Sequence, residues 1–398
     1  MFSNAQCPMP YFQNKVNAMK TYLTNAQVVL VNEVINNASL VIEDDTIIAI
    51  NPISTRNAQT IDLTGKTLMP GMIDLHCDAI EKEIEPRPGA LFPMPFAIAQ
   101  IDRRNSLAGI TTPFHAISFA HEELGVRNND IAAEVVQAIH AYQPHALVDN
   151  RVHCRYEITD PTALPVLLYL LAEECIHLVS LMDHTPGQGQ FKDLQSYQNY
   201  LSRTYKKSAA ETETIAQRKI ENAVGAQSRI ETLISKALSQ NIQVASHDDD
   251  TPERVQAMAN MGVRLSEFPI NLETAKAATA IGMSTIFGAP NILRGKSQSG
   301  SIKAIEAVHH QVASCLCSDY APGTLLAAVF RLLDISNLTL PQAIALVTYN
   351  PAQALKLHDR GEIAVGKRAD LLAVEMVNGL PQVNATLVAG KIVYNCSL

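Results

Sequence analysis

Short apolar runs alternate with longer amphipathic stretches through the middle of the chain, from about residue 70 to 358. Short apolar runs bounded by turn residues are typical of buried strands, and apolar positions spaced by three or four residues are typical of helices. The runs predict strands at 72–77, 109–114, 152–158, 176–181, 243–246, 265–268, 284–287 and 314–318. The amphipathic stretches predict helices at 129–142, 161–174, 212–240 and 252–261. Eight β/α units in succession predict an α/β fold, a closed parallel (β/α)8 TIM-like barrel.

Both ends of the chain have a different pattern, in which short β-type runs are separated by turns containing Asn or Gly. These runs lie at 27–31, 38–42, 46–50, 60–63, 67–68, 361–363, 369–374 and 385–393. They predict a small β-sandwich formed by both chain ends, with an antiparallel N-terminal part. We therefore divide the chain into an extension at 1–20, a sandwich made of 21–69 plus 359–398, and a barrel at 70–358.

Composition narrows the class of protein. Hydrophobic residues make up 47% and charged residues 18% of the 398 positions, as in ordinary globular proteins. The net charge of -8 argues against nucleic acid as the main partner. Since no apolar run is long enough for a membrane span and no signal peptide is evident, we expect a cytoplasmic protein without a membrane partner. Seven cysteines without a framework spacing predict free thiols, with Cys315 and Cys317 filling the barrel core.

Polar residues follow the ends of several predicted barrel strands, which converge on one rim of such a barrel. These residues are His76, Asp78, Glu157, His184, His247 and Asp319. Taken singly, His184 is as well explained as a loop cap, and His247 as part of a solvated acidic turn. Glu157 is harder to dismiss, because an unpartnered carboxylate in an apolar strand is costly. Three imidazoles and three carboxylates together suit two divalent metal ions such as Zn, Mn or Fe.

The run from Pro70 to His76 resembles the first-strand signature of the amidohydrolase superfamily, metal-dependent (β/α)8 hydrolases with a sandwich made from both chain ends. The resemblance covers nearly the whole chain after about residue 20. It implies that His76 and Asp78 bind a first metal together with Asp319, which also lies near the attacking water. It implies a second metal on two histidines, with a bridging carboxylate between the ions. These are His184, His247 and Glu157. Asp78 departs from the pattern, since most members carry a second histidine there.

Longer motifs are similar to those of the branch that hydrolyses a ribose 5-triphosphate in phosphonate catabolism. They lie at 85–89, 246–251, 288–291 and 318–320. This resemblance implies water attack at the α-phosphorus, loss of pyrophosphate and proton transfer to Asp319. Ala79, Glu83 and Gln298 depart from the expected pattern, which bears on the range of substrates.

A small-molecule substrate with a triphosphate and a phosphonate group is strongly anionic and requires cationic side chains in the site. We expect Arg87, Arg294 and Lys296 to bind it, with Arg87 favoured because Pro86 and Pro88 stiffen its loop. The alternative is another hydrolase of the superfamily, acting on a cyclic amide or amine that needs no such cations. We expect a homo-oligomer. The long helical stretch at 197–240 is either a lid, an oligomer contact or an ordinary solvated helix.

Overall fold

The computed structural model describes residues 20–52, 58–120, 128–185, 197–198, 202, 208–297 and 300–396. The predicted extension lies almost wholly outside these residues, and so does Gln298. The strands are β1 (Lys20–Val29), β2 (Val34–Glu43), β3 (Thr46–Ile50), β4 (Ala58–Asp62), β5 (Thr67–Pro70), β6 (Met72–Cys77), β7 (Ile110–Phe119), β8 (Arg151–Glu157), β9 (Leu178–Met182), β10 (Gln243–His247), β11 (Leu265–Glu267), β12 (Ser284–Gly288), β13 (Cys315–Cys317), β14 (Leu371–Val377), β15 (Leu380–Val388) and β16 (Lys391–Asn395).

The helices within the described residues surround the barrel strands. They are α1 (Ile80–Ile84), α2 (Met94–Ala108), α3 (Asn129–Tyr142), α4 (Ala163–Ala172), α5 (Ala209–Ala223), α6 (Ala226–Ser239), α7 (Pro252–Asn260), α8 (Leu272–Ala280), α9 (Ala289–Arg294), α10 (Ala304–His309), α11 (Thr324–Ile335), α12 (Leu340–Ala345) and α13 (Tyr349–Ala354). Helix α7 has Pro252 at its first turn, and the Thr251 hydroxyl accepts a hydrogen bond from the Arg254 amide.

The barrel strands β6 to β13 form one parallel sheet in chain order, with each strand bonded to its neighbours in sequence. A bridge between Cys77 and Asp319 joins the last strand end to the first. The predicted (β/α)8 barrel is therefore confirmed. Its interior is filled by apolar side chains, including the buried thiols of Cys315 and Cys317. The described cysteines are all free, as expected.

The two chain ends meet in a single mixed sheet with the strand order β16-β15-β14-β5-β1-β2-β3. Residues from both ends share one hydrophobic core, for example Leu23 and Leu40 with Leu371 and Leu387. The predicted common β unit is confirmed, but the antiparallel arrangement expected for its N-terminal part is wrong in detail. Both β4 and β5 run parallel to β1, because each returns to its neighbour through an intervening segment rather than a tight hairpin.

The strand predicted at 361–363 is also wrong. Gly361 has φ of 89°, in the left-handed region, where an extended strand does not continue. A Cβ at this position would lie 2.8 Å from the carbonyl oxygen of Thr348, so the chain passes too close for any larger residue. The segment is a tight connection from the barrel back to the sheet.

Candidate metal centre and substrate pocket

The seam where the barrel closes brings together the residues expected to hold a first metal. The Asp319 amide donates a hydrogen bond to the His76 carbonyl at 2.9 Å, and the Asp78 amide donates to the Asp319 carbonyl at 3.0 Å. One imidazole nitrogen and two carboxylate oxygens of His76, Asp78 and Asp319 lie within 4.8 Å of one another. We call these three residues the outer group.

Below them lies a buried cluster that the sequence analysis did not assign, made of His76, His153 and Glu267, which we call the inner group. Glu267 Oε1 lies 3.2 Å from His76 Nδ1, and Oε2 lies 3.6 Å from His153 Nε2. His153 Nδ1 lies 3.1 Å from the Leu75 carbonyl, which can only accept, so this nitrogen carries the proton. The contact between Glu267 Oε1 and His76 Nδ1 fixes the orientation of the His76 ring, as a carboxylate behind a metal-binding histidine does.

Both histidines of the inner group are held neutral. Burial lowers the pKa of His76 well below its usual value, and the neighbouring Arg155 and His247 add to the effect. Burial also lowers the pKa of His153 to about 3, although Glu267 opposes the shift. A neutral imidazole is the form that binds metal, so both rings are in the ligating state at neutral pH.

Glu157, expected to bridge two metals, is held by partners of its own. Its Oε2 lies 2.8 Å from His184 Nδ1 and 3.0 Å from Lys219 Nζ of α5, and the Thr159 hydroxyl donates to Oε1 at 2.7 Å. Burial opposes ionisation, but Lys219 and His184 outweigh it and hold the pKa of Glu157 below its usual range. Glu157 is not among the residues that line the main pocket, whereas His184 is.

The acidic run after β10 is not a solvated turn. Asp249 is fully buried and accepts hydrogen bonds from the Ser246 and Ser266 hydroxyls at 2.5 Å each. His247 and Asp248 line the pocket instead, with His247 Nδ1 3.2 Å from Asp248 Oδ2. Asp249 therefore stabilises the ends of β10 and β11, and His247 and Asp248 form part of the pocket wall.

Arg155 is a further pocket residue that the sequence analysis missed. Its guanidinium lies 3.4 Å from His247 Nε2 and 3.4 Å from the Ser118 hydroxyl. Because arginine only donates, His247 Nε2 must accept this contact. Side chains alternate along a strand, so the odd positions of β8 share the inward face. That alternation, applied from Glu157 back to Arg155 and His153, is the signal that would have found them.

The main pocket has a volume of about 370 Å³ and opens at the carboxyl ends of the strands. Arg294 and Lys296 are exposed and line it, and Arg294 Nη1 lies 3.5 Å from the Tyr320 hydroxyl. Arg87, the residue favoured for substrate binding, is exposed and lies outside the lining. The loop with Arg87 pairs back on itself at Ala90.

Two of the positions that depart from the expected motifs lie away from the pocket lining. Ala79 is fully buried beside α1, and Glu83 pairs with Arg104 at 2.9 Å. The Glu83 carboxylate is thus engaged at the surface between α1 and α2.

The donor set fits a divalent cation. Among the described residues, the groups whose ligand atoms lie close enough for one ion are the outer and inner groups, which share His76. Two buried atoms of the inner group, His153 Nε2 and Glu267 Oε2, have no hydrogen-bond partner. Neither group includes Glu157, His184 or His247, so the set expected for a second metal is not gathered around one point.

Comparisons with known proteins agree on the family. Residues 196–393 match the model of the amidohydrolase family. The chain is 36% identical over 355 residues to the alpha-D-ribose 1-methylphosphonate 5-triphosphate diphosphatase of Escherichia coli (strain K12), covering 88% of this chain and 94% of that protein.

Solved structures of low sequence identity share the fold. N-acetylglucosamine-6-phosphate deacetylase from Pasteurella multocida is 16% identical with a TM-score of 0.62, over 94% of this chain and 99% of that one. Dihydropyrimidinase from Brevibacillus agri is 14% identical with a TM-score of 0.57, over 95% of each chain. Among the described residues, no helix is long and apolar enough to cross a bilayer.

Proposed function

The chain belongs to the amidohydrolase family, and from this we propose that it hydrolyses α-D-ribose 1-methylphosphonate 5-triphosphate to the 5-phosphate and pyrophosphate in phosphonate catabolism. The observation that carries the proposal is the 36% identity to a diphosphatase of this name along nearly the whole of both chains. A pocket that combines a cluster of metal-binding side chains with Arg155, Arg294 and Lys296 supports it, because a triphosphate needs both kinds of positive charge.

In this proposal the site binds two divalent metal ions, Zn, Mn or Fe. His76, Asp78 and Asp319 would hold the first ion. His184 and His247 would hold the second, with Glu157 between the ions, which requires Glu157 to give up its contact with Lys219 and the three side chains to move together. Divalent cations supply Lewis acidity that lowers the pKa of a water molecule and orients it toward phosphorus.

The chain's own residues carry the remaining steps. Asp319, at the end of β13, takes the proton of the attacking water. Arg294 and Lys296 bind phosphate oxygens at the pocket entrance, where arginine can donate two parallel hydrogen bonds. Arg87 would join them only if its loop moves toward the pocket, since it now lies outside the lining.

We also propose that the protein is a cytoplasmic homo-oligomer without a nucleic-acid partner. The net charge of -8 supports the last point, because a nucleic-acid surface requires clustered positive charge.

The test is hydrolysis of the ribose 5-triphosphate with a 1-methylphosphonate group, in oxygen-18 water, by the metal-loaded protein. We expect pyrophosphate release and label on the ribose 5-phosphate in the phosphorus NMR spectrum. Removing the metal with a chelator should abolish turnover, and adding it back should restore turnover. Activity in a sample shown to be metal-free would contradict the metal's role. Turnover of a cyclic amide, without turnover of the triphosphate, would contradict the proposed substrate.

A further inference from the structure

Arg155 is a buried cation that forms no ion pair with a carboxylate of the described residues. The residue is 8% exposed, and its Nε atom has no hydrogen-bond partner. Its two polar contacts, to the Ser118 hydroxyl and His247 Nε2, are both at 3.4 Å and both to neutral acceptors. In the part of the chain that the structure describes, no carboxylate lies within 4.0 Å of its guanidinium.

The buried Arg360 and the partly buried Arg254 both have carboxylate partners. Arg254 lies 3.1 Å from Asp183 and 3.4 Å from Asp249. Arg360 lies 2.6 Å from Asp149 and pairs with further carboxylates. Arg155 has no such carboxylate partner among the described residues, although it is nearly as buried as Arg360.

A charge removed from water without a partner lowers stability, and such a group persists where a ligand completes it. His247 accepts from Arg155 and offers no negative charge, and Asp248, on the far side of the His247 ring, acts on the guanidinium only from beyond 4.0 Å. A cation bound by the outer group would repel the guanidinium rather than neutralise it. The missing partner therefore carries negative charge and reaches Arg155 through the pocket that it lines.

The depth of Arg155 distinguishes it from the other pocket cations. Arg294 and Lys296 are exposed. Arg155 is buried at the carboxyl end of β8, beside His247, whose ring centroid lies 5.8 Å from that of His76. An anionic group that touches Arg155 is therefore close to the outer group, whereas one held by Arg294 or Lys296 is at the pocket mouth.

We propose that Arg155 binds the oxygens of the phosphoryl group that is attacked, while Arg294 and Lys296 bind the phosphates that leave. Which of these cations binds the attacked phosphoryl group and which bind the leaving phosphates rests on the proposed function. The requirement for an anionic group at Arg155 rests on its burial and on the absence of a carboxylate within 4.0 Å among the described residues.

Binding of inorganic phosphate to the full-length, metal-loaded protein tests the proposal without turnover. We expect Arg155→Met to weaken phosphate binding by at least about tenfold in titration calorimetry, since a charge-assisted pair is lost. Arg155→Lys should lose less, because it keeps the charge but not the planar fork. Metal content, measured by mass spectrometry, should stay at the wild-type level. Unchanged phosphate affinity in Arg155→Met with intact metal content would overturn the proposal.

Thermal stability gives a second readout that a purely structural arginine would not produce. In phosphate-free buffer, Arg155→Met should melt no lower than the wild type, because an unpaired buried charge is removed. The matched variant Arg254→Met should melt lower, because it leaves Asp183 and Asp249 without their partner. Added phosphate should raise the melting temperature of the wild type more than that of Arg155→Met. A fall in melting temperature for Arg155→Met as large as that for Arg254→Met would mean that Arg155 is structural.

Kinetics separate this inference from the proposed function. With the triphosphate substrate, Arg155→Met should lower kcat by more than it raises KM, and Arg294→Met should mainly raise KM. A wild type that does not hydrolyse the substrate, but whose phosphate binding depends on Arg155, would contradict the substrate and keep the oxyanion site. Turnover and phosphate binding that are both insensitive to Arg155→Met would contradict the site and keep the substrate.

Discussion

Glu267 is the residue on which the orientation of the His76 ring depends. It is fully buried and contacts the imidazole nitrogens of two histidines, His76 and His153. Glu267→Gln keeps the shape but removes the charge that holds His76. We expect a 10- to 100-fold loss of metal affinity, measured by competition with a chromogenic chelator. The exposed Glu273→Gln is the control and should bind metal as the wild type does. Equal affinity in both variants would show that Glu267 does not act on the metal.

A buried histidine outside the metal centre makes the free energy of unfolding depend on pH. His115 is 1% exposed, and its Nε2 lies 2.8 Å from Asn150 Oδ1 while Nδ1 has no partner. Burial lowers its pKa from 6.5 to about 4. Between these two pH values the unfolded chain takes up a proton at His115 and the folded chain does not. The contribution of His115 to the free energy of unfolding is therefore fully present above pH 6.5 and is lost as the pH decreases toward 4.

The expected loss is up to about 3 kcal/mol of the free energy of unfolding. Urea unfolding at several pH values measures it. His115→Gln should have a flatter profile between pH 6.5 and 4, and the exposed His145→Gln should follow the wild type. A profile of His115→Gln as steep as that of the wild type would assign the dependence to other groups.

Part of the site was predictable from residue order alone. Strand-end positions identified His76, Asp78 and Asp319, because parallel strands bring their carboxyl ends to one rim. The partner of Glu157 was not predictable, since Lys219 comes from a helix more than fifty positions away whose rotation no pattern specifies. Arg155 was missed for another reason. A charged residue within an apolar run is identified as a site residue only when the alternation of side chains along the strand is used to decide which face it lies on.

At the scale of elements, the apolar periodicity located the barrel strands but not every helix end. The stretch predicted as one helix at 212–240 is two helices, α5 and α6, separated at Gly225. Gly225 has φ of 83° and caps α6. A repeat of three to four residues continues on both sides of the break, so the pattern does not reveal it. The part of the 197–240 stretch that precedes residue 208 lies mainly outside the described residues.

The corner at Gly225 gives a prediction for this pair of helices. Gly225→Ala places a Cβ 3.3 Å from Arg229 Nη1 and forces a left-handed φ on alanine. We expect a loss of about 1 kcal/mol in urea unfolding. Gly323→Ala is the matched control, because Gly323 has φ of -64° and no atom within 4 Å of an added Cβ. It should be neutral or slightly stabilising. A neutral Gly225→Ala would mean that the corner relaxes freely.

At the scale of the whole molecule, the barrel and the mixed sheet are joined by a common hydrophobic core and by buried ion pairs. Met69 and Leu372 of the sheet belong to the same hydrophobic core as Met72 of the barrel and Leu316. The boundaries at 69/70 and 358/359 stay a prediction: the first falls just before Pro70, the last residue of β5, and the two parts that they define share one core. Composition shifts along a sequence mark such boundaries, yet they do not report which side chains pack across them.

Arg360 is the polar counterpart of this shared core and lies just after the last barrel helix. Its side chain is 4% exposed, donates to the Thr112 hydroxyl of β7 at 3.0 Å and lies 2.6 Å from Asp149 and 3.9 Å from Asp370. Arg360→Met removes the most buried cation of this cluster and its charge-assisted hydrogen bonds, whereas Asp149 keeps Arg151 and Asp370 keeps Arg368. We therefore expect a loss of about 2 kcal/mol. The exposed pair of Arg331 and Asp334 is the control, and Arg331→Met should cost less than about 1 kcal/mol.

The way in which Arg360→Met unfolds is as informative as how much stability it loses. If one core holds both parts together, urea unfolding followed by far-ultraviolet circular dichroism and by tyrosine fluorescence should give coincident transitions in the wild type and the variant. The midpoint should move to lower urea with little change in slope. Two separated transitions in the variant, with the sheet melting first, would mean that the barrel is stable alone. In that case the mixed sheet formed by the two chain ends unfolds independently of the barrel, and Arg360 is the residue that couples the unfolding of the two parts.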